Sequence, residues 1–172
     1  MRHLLMSLAM VPLLGGTVMA QDDFNAMDVP ALVAAASSIH PAGLYVLAGK
    51  LFAEGKKDEA VFWFYAGQLR YRVHLACHKD LDPSGDPALF GALSETVGRP
   101  LNEYGFGDVP ALAETLDKVI AWDKSTPDGF TDRKACPEAD GVRDGLIGMR
   151  DQIIAQADDI RAQRKANGLE NR

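Results

Sequence analysis

Residues 58–77 (DEAVFWFYAGQLRYRVHLAC) constrain the fold of this chain more than any other stretch. Val61, Phe62, Trp63, Phe64, Tyr65 and Ala66 follow one another without a break. Leu69, Tyr71, Val73 and Leu75 extend the pattern. Consecutive apolar residues on a 3.6-residue period point in every direction, so no narrow stripe holds them. A helix that is apolar nearly all round is a buried helix. The segment is therefore expected to be a hub against which other helices pack.

The remaining segments are expected to be helical too. No stretch alternates with period two over a strand's length, and apolar residues recur at three-four spacing. Residues 21–27 are polar and are expected to be irregular. Asp28-Val29-Pro30 reads as a helix start, with Asp as cap and Pro in the first turn. A short helix over 31–39 should end at Pro41, and a second should cover 42–54. Gly55 supplies a left-handed C-cap, and Asp58 is expected to cap the hub. Residues 78–85 form a turn-rich loop. Asp86-Pro87 starts a helix over 88–97, which Gly98-Arg99-Pro100 should break, leaving 101–107 as a compact loop. Asp108-Val109-Pro110 repeats the capping chemistry of Asp28 and leads into a helix over 111–122. After an irregular stretch over 123–137, a final helix is expected over about 140–166. Gly145 and Gly148 within it cost helix propensity but let a neighbour approach. The expectation is an all-α, single-domain bundle of about six helices around one buried central helix.

The first twenty residues read as a cleaved signal peptide. Arg2 provides the positive n-region, 4–14 a short apolar core, and Val18-Met19-Ala20 a small-residue cleavage site. The domain then spans 21–172. Cleavage would remove one base and no acid from a chain whose net charge is already −6. An acidic exported domain is a poor partner for nucleic acid or an anionic membrane. No other apolar run is long enough to span a bilayer, so no membrane insertion is expected after cleavage. The expected location is the periplasm or the exterior.

Export also bears on the two cysteines, Cys77 and Cys136. In an oxidising compartment an even count is usually paired, so a disulfide is expected. The alternative is a metal site, because His74, Cys77 and His78 lie within about one turn and Cys136 would complete a soft ligand set. Haem attachment is excluded, since His74 stands where the second cysteine would be needed. No metal or cofactor is expected.

The segment 94–108 concentrates polar groups, glycines and aromatics between helices. Loops held by a rigid scaffold commonly carry binding residues. Tyr104 and Phe106 are candidate interface anchors, and Arg99 a candidate partner for a carboxylate. Asn102, Glu103 and Asp108 complete the candidate set, although Asn102 and Asp108 are equally suited to capping backbone groups. Glu95 and Glu103 would be the acid and base of a hydrolase in the competing reading. Serine-nucleophile elbows, phosphate-cradling glycine loops and the His-Glu-x-x-His zinc motif are all absent. Arg70 and Arg72 lie on the hub, where a buried ion pair with a helix acid is the simpler role and a ligand carboxylate the sharper one.

Residues 44–70 resemble a single helical hairpin of the tetratricopeptide or Sel1 type. The resemblance is carried by Leu47, Ala48 and Leu51, by Gly55 at the turn, and by Ala60, Phe64 and Gly67. The chain departs from the pattern at Arg72, where a repeat would carry proline, and no second copy follows. The resemblance implies a scaffold that binds other proteins. The functional expectation is thus an exported protein-binding domain, either a scaffold or an inhibitor or immunity-type protein, acting on another envelope or secreted protein. An envelope-polymer hydrolase using Glu95 and Glu103 is the alternative.

Overall fold

The structure, a computed structural model, describes residues 22–172, so the expected signal peptide lies outside the described residues. In chain order the helices are α1 (Asp22–Ala26), α2 (Val29–Ala35), α3 (Pro41–Ala53), α4 (Lys57–Cys77), α5 (Asp86–Leu93), α6 (Arg99–Gly105), α7 (Val109–Ser125), α8 (Glu138–Ala155) and α9 (Ala157–Ala166). No strand occurs among the described residues. The fold is all-α, and no described helix is long and apolar enough to cross a membrane.

The hub is α4. Val61, Trp63, Phe64, Tyr65, Leu69, Tyr71 and Val73 are all buried, while Phe62 is only partly so. Burying one such aromatic or branched side chain is worth about 1.5–3 kcal/mol. The most extensive packing is between α3 and α4, and α6, α7 and α8 also lie against the hub. The α3–α4 turn closes as a Schellman motif: Lys56 N–H donates to Leu51 O at 3.0 Å and Gly55 N–H to Phe52 O at 3.1 Å. Gly55 has φ +81°, the left-handed geometry that its position requires.

Capping is as expected at two starts. Asp28 Oδ1 accepts from Ala31 N–H at 2.8 Å, and Asp108 Oδ1 accepts from Ala111 N–H at 3.1 Å. Elsewhere the structure corrects the sequence reading. Asp58 lies inside the first turn of α4 and does not cap it; its carboxylate accepts from the Tyr104 hydroxyl at 2.8 Å instead. Residues 22–26 are helical, not irregular, because Phe24 is buried in the core and anchors them. Residues 101–107 are not a loop. A π-helical turn, Ser94–Gly98, runs straight into α6, and Pro100 falls in the first turn of α6, where it needs no N–H partner. The π turn carries Gly98 over the ring of Phe64, where an added Cβ would come within 2.9 Å of the ring carbons. The final helix is split at Gln156 into α8 and α9.

Cys77 and Cys136 form a disulfide with a Cα–Cα separation of 5.4 Å. It joins the last residue of α4 to the segment just before α8.

Candidate functional site

The structure gathers only part of the predicted set at one surface. Asn102 faces inward, where its Oδ1 accepts from the Tyr65 hydroxyl at 2.8 Å. Asp108 is the cap of α7, and Phe106 packs partly buried against the core. Asn102 ties α6 to the hub and Asp108 caps α7, while Asn102 and Phe106 also line a smaller cleft beside Glu103. Arg99 pairs with Glu95 one turn earlier on the exposed surface. Glu103 and Tyr104 line a cleft of about 700 Å³ between α6 and the C-terminal segment.

Tyr104 is the centre of that cleft. Its hydroxyl donates to Asp58, and the Arg172 guanidinium lies 3.6 Å from its ring centroid. The Lys57 ammonium sits 5.3 Å from the same ring and 5.4 Å from that of Phe52. The chain's own residues 168–172 lie along the face. Arg172 N–H donates to Gly107 O at 2.7 Å, and an Arg172 guanidinium N–H donates to Tyr104 O at 3.2 Å. The Arg164 guanidinium donates to Glu170 O at 2.7 Å and thereby fixes the tail's turn. Two smaller clefts flank the face: one of about 340 Å³ shares Glu103, Arg164 and Leu169, and one of about 200 Å³ shares Tyr104 and Arg172. Lys57, Arg164 and Arg172 therefore belong to the surface. Sequence reasoning missed them because they come from α4, α9 and the tail, far from 94–108 in the chain.

A second cluster lies at the other end of the hub. His40 and His74 both reach the carboxylate of Asp86, with Nε2 atoms 3.0 Å and 2.9 Å from its two oxygens. The Tyr71 hydroxyl donates to the same carboxylate at 2.9 Å, and the ring of Phe130 covers both imidazoles. Asp86 and Pro87 start α5 as expected, and the Asp86 carboxylate also ties the starts of α3 and α5 to the end of α4. Burial alone would raise its carboxyl, but the hydrogen bonds from His74 and Tyr71 and the nearby imidazoles hold it below the usual range. Burial lowers His40, against the opposing pull of Asp86.

Their donor atoms lie close enough together to suggest a cation site. The hydrogen bonds argue otherwise. His40 Nδ1 accepts from Ala42 N–H at 3.1 Å, so the neutral ring carries its proton on Nε2 and donates it to Asp86. A metal bound at Nε2 would force a proton onto Nδ1, against a backbone N–H. His74 Nδ1 is buried without a partner, so it lacks the acceptor that a metal-ligating histidine normally addresses. Nor do the expected alternative ligands assemble. Cys77 and Cys136 are bonded to each other, and His78 Nδ1 donates to His74 O at 2.9 Å.

The third polar centre is Asp123, which is wholly buried. It lies within 3.0 Å of Arg70 Nε and accepts from Arg133 at 2.7 and 2.9 Å and from Arg143 at 3.0 Å. Arg70 also donates to Thr126 O and Pro127 O and stacks on Trp122. This is the buried ion pair expected for Arg70, and it pins residues 126–133 onto the hub. Arg72 takes no part in it.

Comparison with protein families, with curated proteins and with solved structures finds no match for this chain.

Proposed function

We propose that the protein is an exported protein-binding domain that works through the face formed by α6 and the C-terminal segment. The observation that carries this reading is the docking of residues 168–172. The tail folds back there, with the Arg172 N–H bonded to Gly107 O and the Arg172 guanidinium on Tyr104. A face that holds one chain segment offers the same groups to another that displaces it: the Tyr104 ring as an aromatic anchor, the carbonyls of Tyr104 and Gly107, and the Asp58 carboxylate. Three further features are consistent with the reading: a rigid all-α scaffold, a disulfide suited to an oxidising compartment, and the resemblance of 44–70 to a protein-binding hairpin. An inhibitor or immunity-type role in the envelope is its specific form.

The test is capture of an envelope or secreted protein by immobilised wild-type protein and by Tyr104→Ala and Glu103→Ala variants. A partner retained by the wild type and lost on Tyr104→Ala supports the reading, provided that circular dichroism is unchanged. Equal capture by all three proteins moves the binding face elsewhere.

A further inference from the structure

Three glycines of α8, Gly141, Gly145 and Gly148, have nothing among the described residues within 4 Å of where a Cβ would stand. The sequence suggests close approach by a neighbour at Gly145 and Gly148, and no neighbour is there. Each such glycine costs a helix about 1 kcal/mol relative to alanine. At Gly145 the missing side chain leaves a space with a definite shape. Gly145 lines a cleft of about 530 Å³ between α4, α5 and α8.

The walls of that cleft are almost entirely apolar. Leu69 and Leu75 come from α4, Phe90 from α5, and Leu146 and Met149 from α8. Two polar side chains reach it, Gln68 and Arg72, and Arg72 is its only charged lining residue among the described residues. The Arg72 guanidinium lies over the Phe90 ring, 5.4 Å from its centroid. It has no carboxylate partner among the described residues, whereas Arg70, two residues earlier and on the other side of the helix, is engaged with Asp123 and Asp128. An apolar cleft of this size between bundle helices, with one or two polar groups at its rim, has the character of a small-ligand site. An unpaired arginine beside it selects the polar end of the ligand: a planar carboxylate matches the guanidinium fork.

We infer that this cleft binds an amphipathic carboxylate, with the acyl chain against Leu69, Phe90 and Leu146 and the carboxylate at Arg72 and Gln68. The site is separate from the α6 face and does not depend on the function proposed for it.

The probe is sodium decanoate, with decanol as its uncharged counterpart, each titrated calorimetrically into the disulfide-intact protein below micelle-forming concentrations. Two variants separate binding from folding. Gly145→Leu fills the cleft from a position with open space around it and removes a helix-interior glycine, so it should fold at least as well as the wild type. Arg72→Gln removes the charge and keeps the stem. The expected result is decanoate binding to the wild type in preference to decanol. Arg72→Gln should weaken decanoate at least tenfold and abolish that preference, and Gly145→Leu should lose both ligands while keeping its helical spectrum. The inference is overturned if the wild type takes up no decanoate, if decanol binds as well as decanoate, or if Gly145→Leu binds decanoate unchanged.

Discussion

Asp123 accepts hydrogen bonds from two arginines and faces a third, and no part of its side chain is exposed. Burial pushes its carboxyl up, but the hydrogen bonds and charges of Arg133, Arg143 and Arg70 outweigh this and hold it below the usual range. Asp123→Ala leaves Arg70, itself buried, with only Asp128 of its two counter-charges and takes from Arg133 and Arg143 the carboxylate they share. Breaking a buried pair by removing one partner costs about 3–5 kcal/mol. Urea unfolding followed by circular dichroism should show a loss of that size; a loss under 1 kcal/mol would mean that water enters and replaces the carboxylate.

His40 and Asp86 make the residue scale sensitive to pH in two separate windows. His40 is lowered by burial, so the unfolded chain binds a proton more readily than the folded one. Its contribution is complete above the unfolded value of about 6.5 and is lost as pH falls below it. Asp86 and Asp123 are also lowered, and being acids they contribute above about pH 4 and lose that contribution as pH falls further. Thermal midpoints measured from pH 8 to pH 3 should therefore fall first near pH 6.5 and again below pH 4. His40→Asn keeps a side-chain acceptor for Ala42 N–H and removes the titrating ring, so it should flatten the first fall and leave the second.

Glycines define what could and could not be read at the level of elements. Gly67 and Gly145 both sit inside helices, and their composition-level meaning is the same. Gly67 stands where α3 crosses the hub, and an added Cβ would come within 2.9 Å of Leu44 Cβ. Gly67→Ala should therefore destabilise by about 1–3 kcal/mol through overpacking. Gly145→Ala meets nothing and should stabilise by about 1 kcal/mol through helix propensity. Denaturant midpoints of the two variants should move in opposite directions. The hub was legible because its signal is local: a run of aromatics has only one environment to go to. The caps at Asp28 and Asp108 were legible for the same reason. The role of Asp86 was not, because His40 lies 46 residues away and nothing in the Asp86-Pro87 pair shows that Tyr71 and His74 of the preceding helix fold back onto its carboxylate. The candidate site divided along this line. Tyr104 and Glu103 line the main cleft, whereas Asn102 bonds to Tyr65 of the hub and Asp108 caps α7. The arginines that complete the face come from α9 and the tail.

At the scale of the molecule, the hub is long enough to carry two ends of different character. Its first turn supports the α6 face through Asp58 and Lys57, and its last turn carries the His74–Asp86 cluster and Cys77. The disulfide spans 59 residues of sequence and encloses α5, α6 and α7. In the loop-closure description, a cross-link over such a length removes enough unfolded-state entropy to stabilise by about 4 kcal/mol. A single domain usually has about 5–15 kcal/mol in all. The bond is therefore a large share of stability, although α8 also packs on the hub without it. A Cys77→Ser/Cys136→Ser protein should fold with the same helical content and unfold at a much lower urea concentration. The slope of its unfolding free energy against urea distinguishes two explanations. An unchanged or steeper slope means that the native fold is intact and the unfolded chain has been freed, as loop entropy requires. A shallower slope means that α8 has already left the hub in the unlinked protein, and the bond would then be holding the bundle together and not merely restricting its unfolded state. The apolar contacts of Leu146 and Ile153, both buried, favour the first outcome.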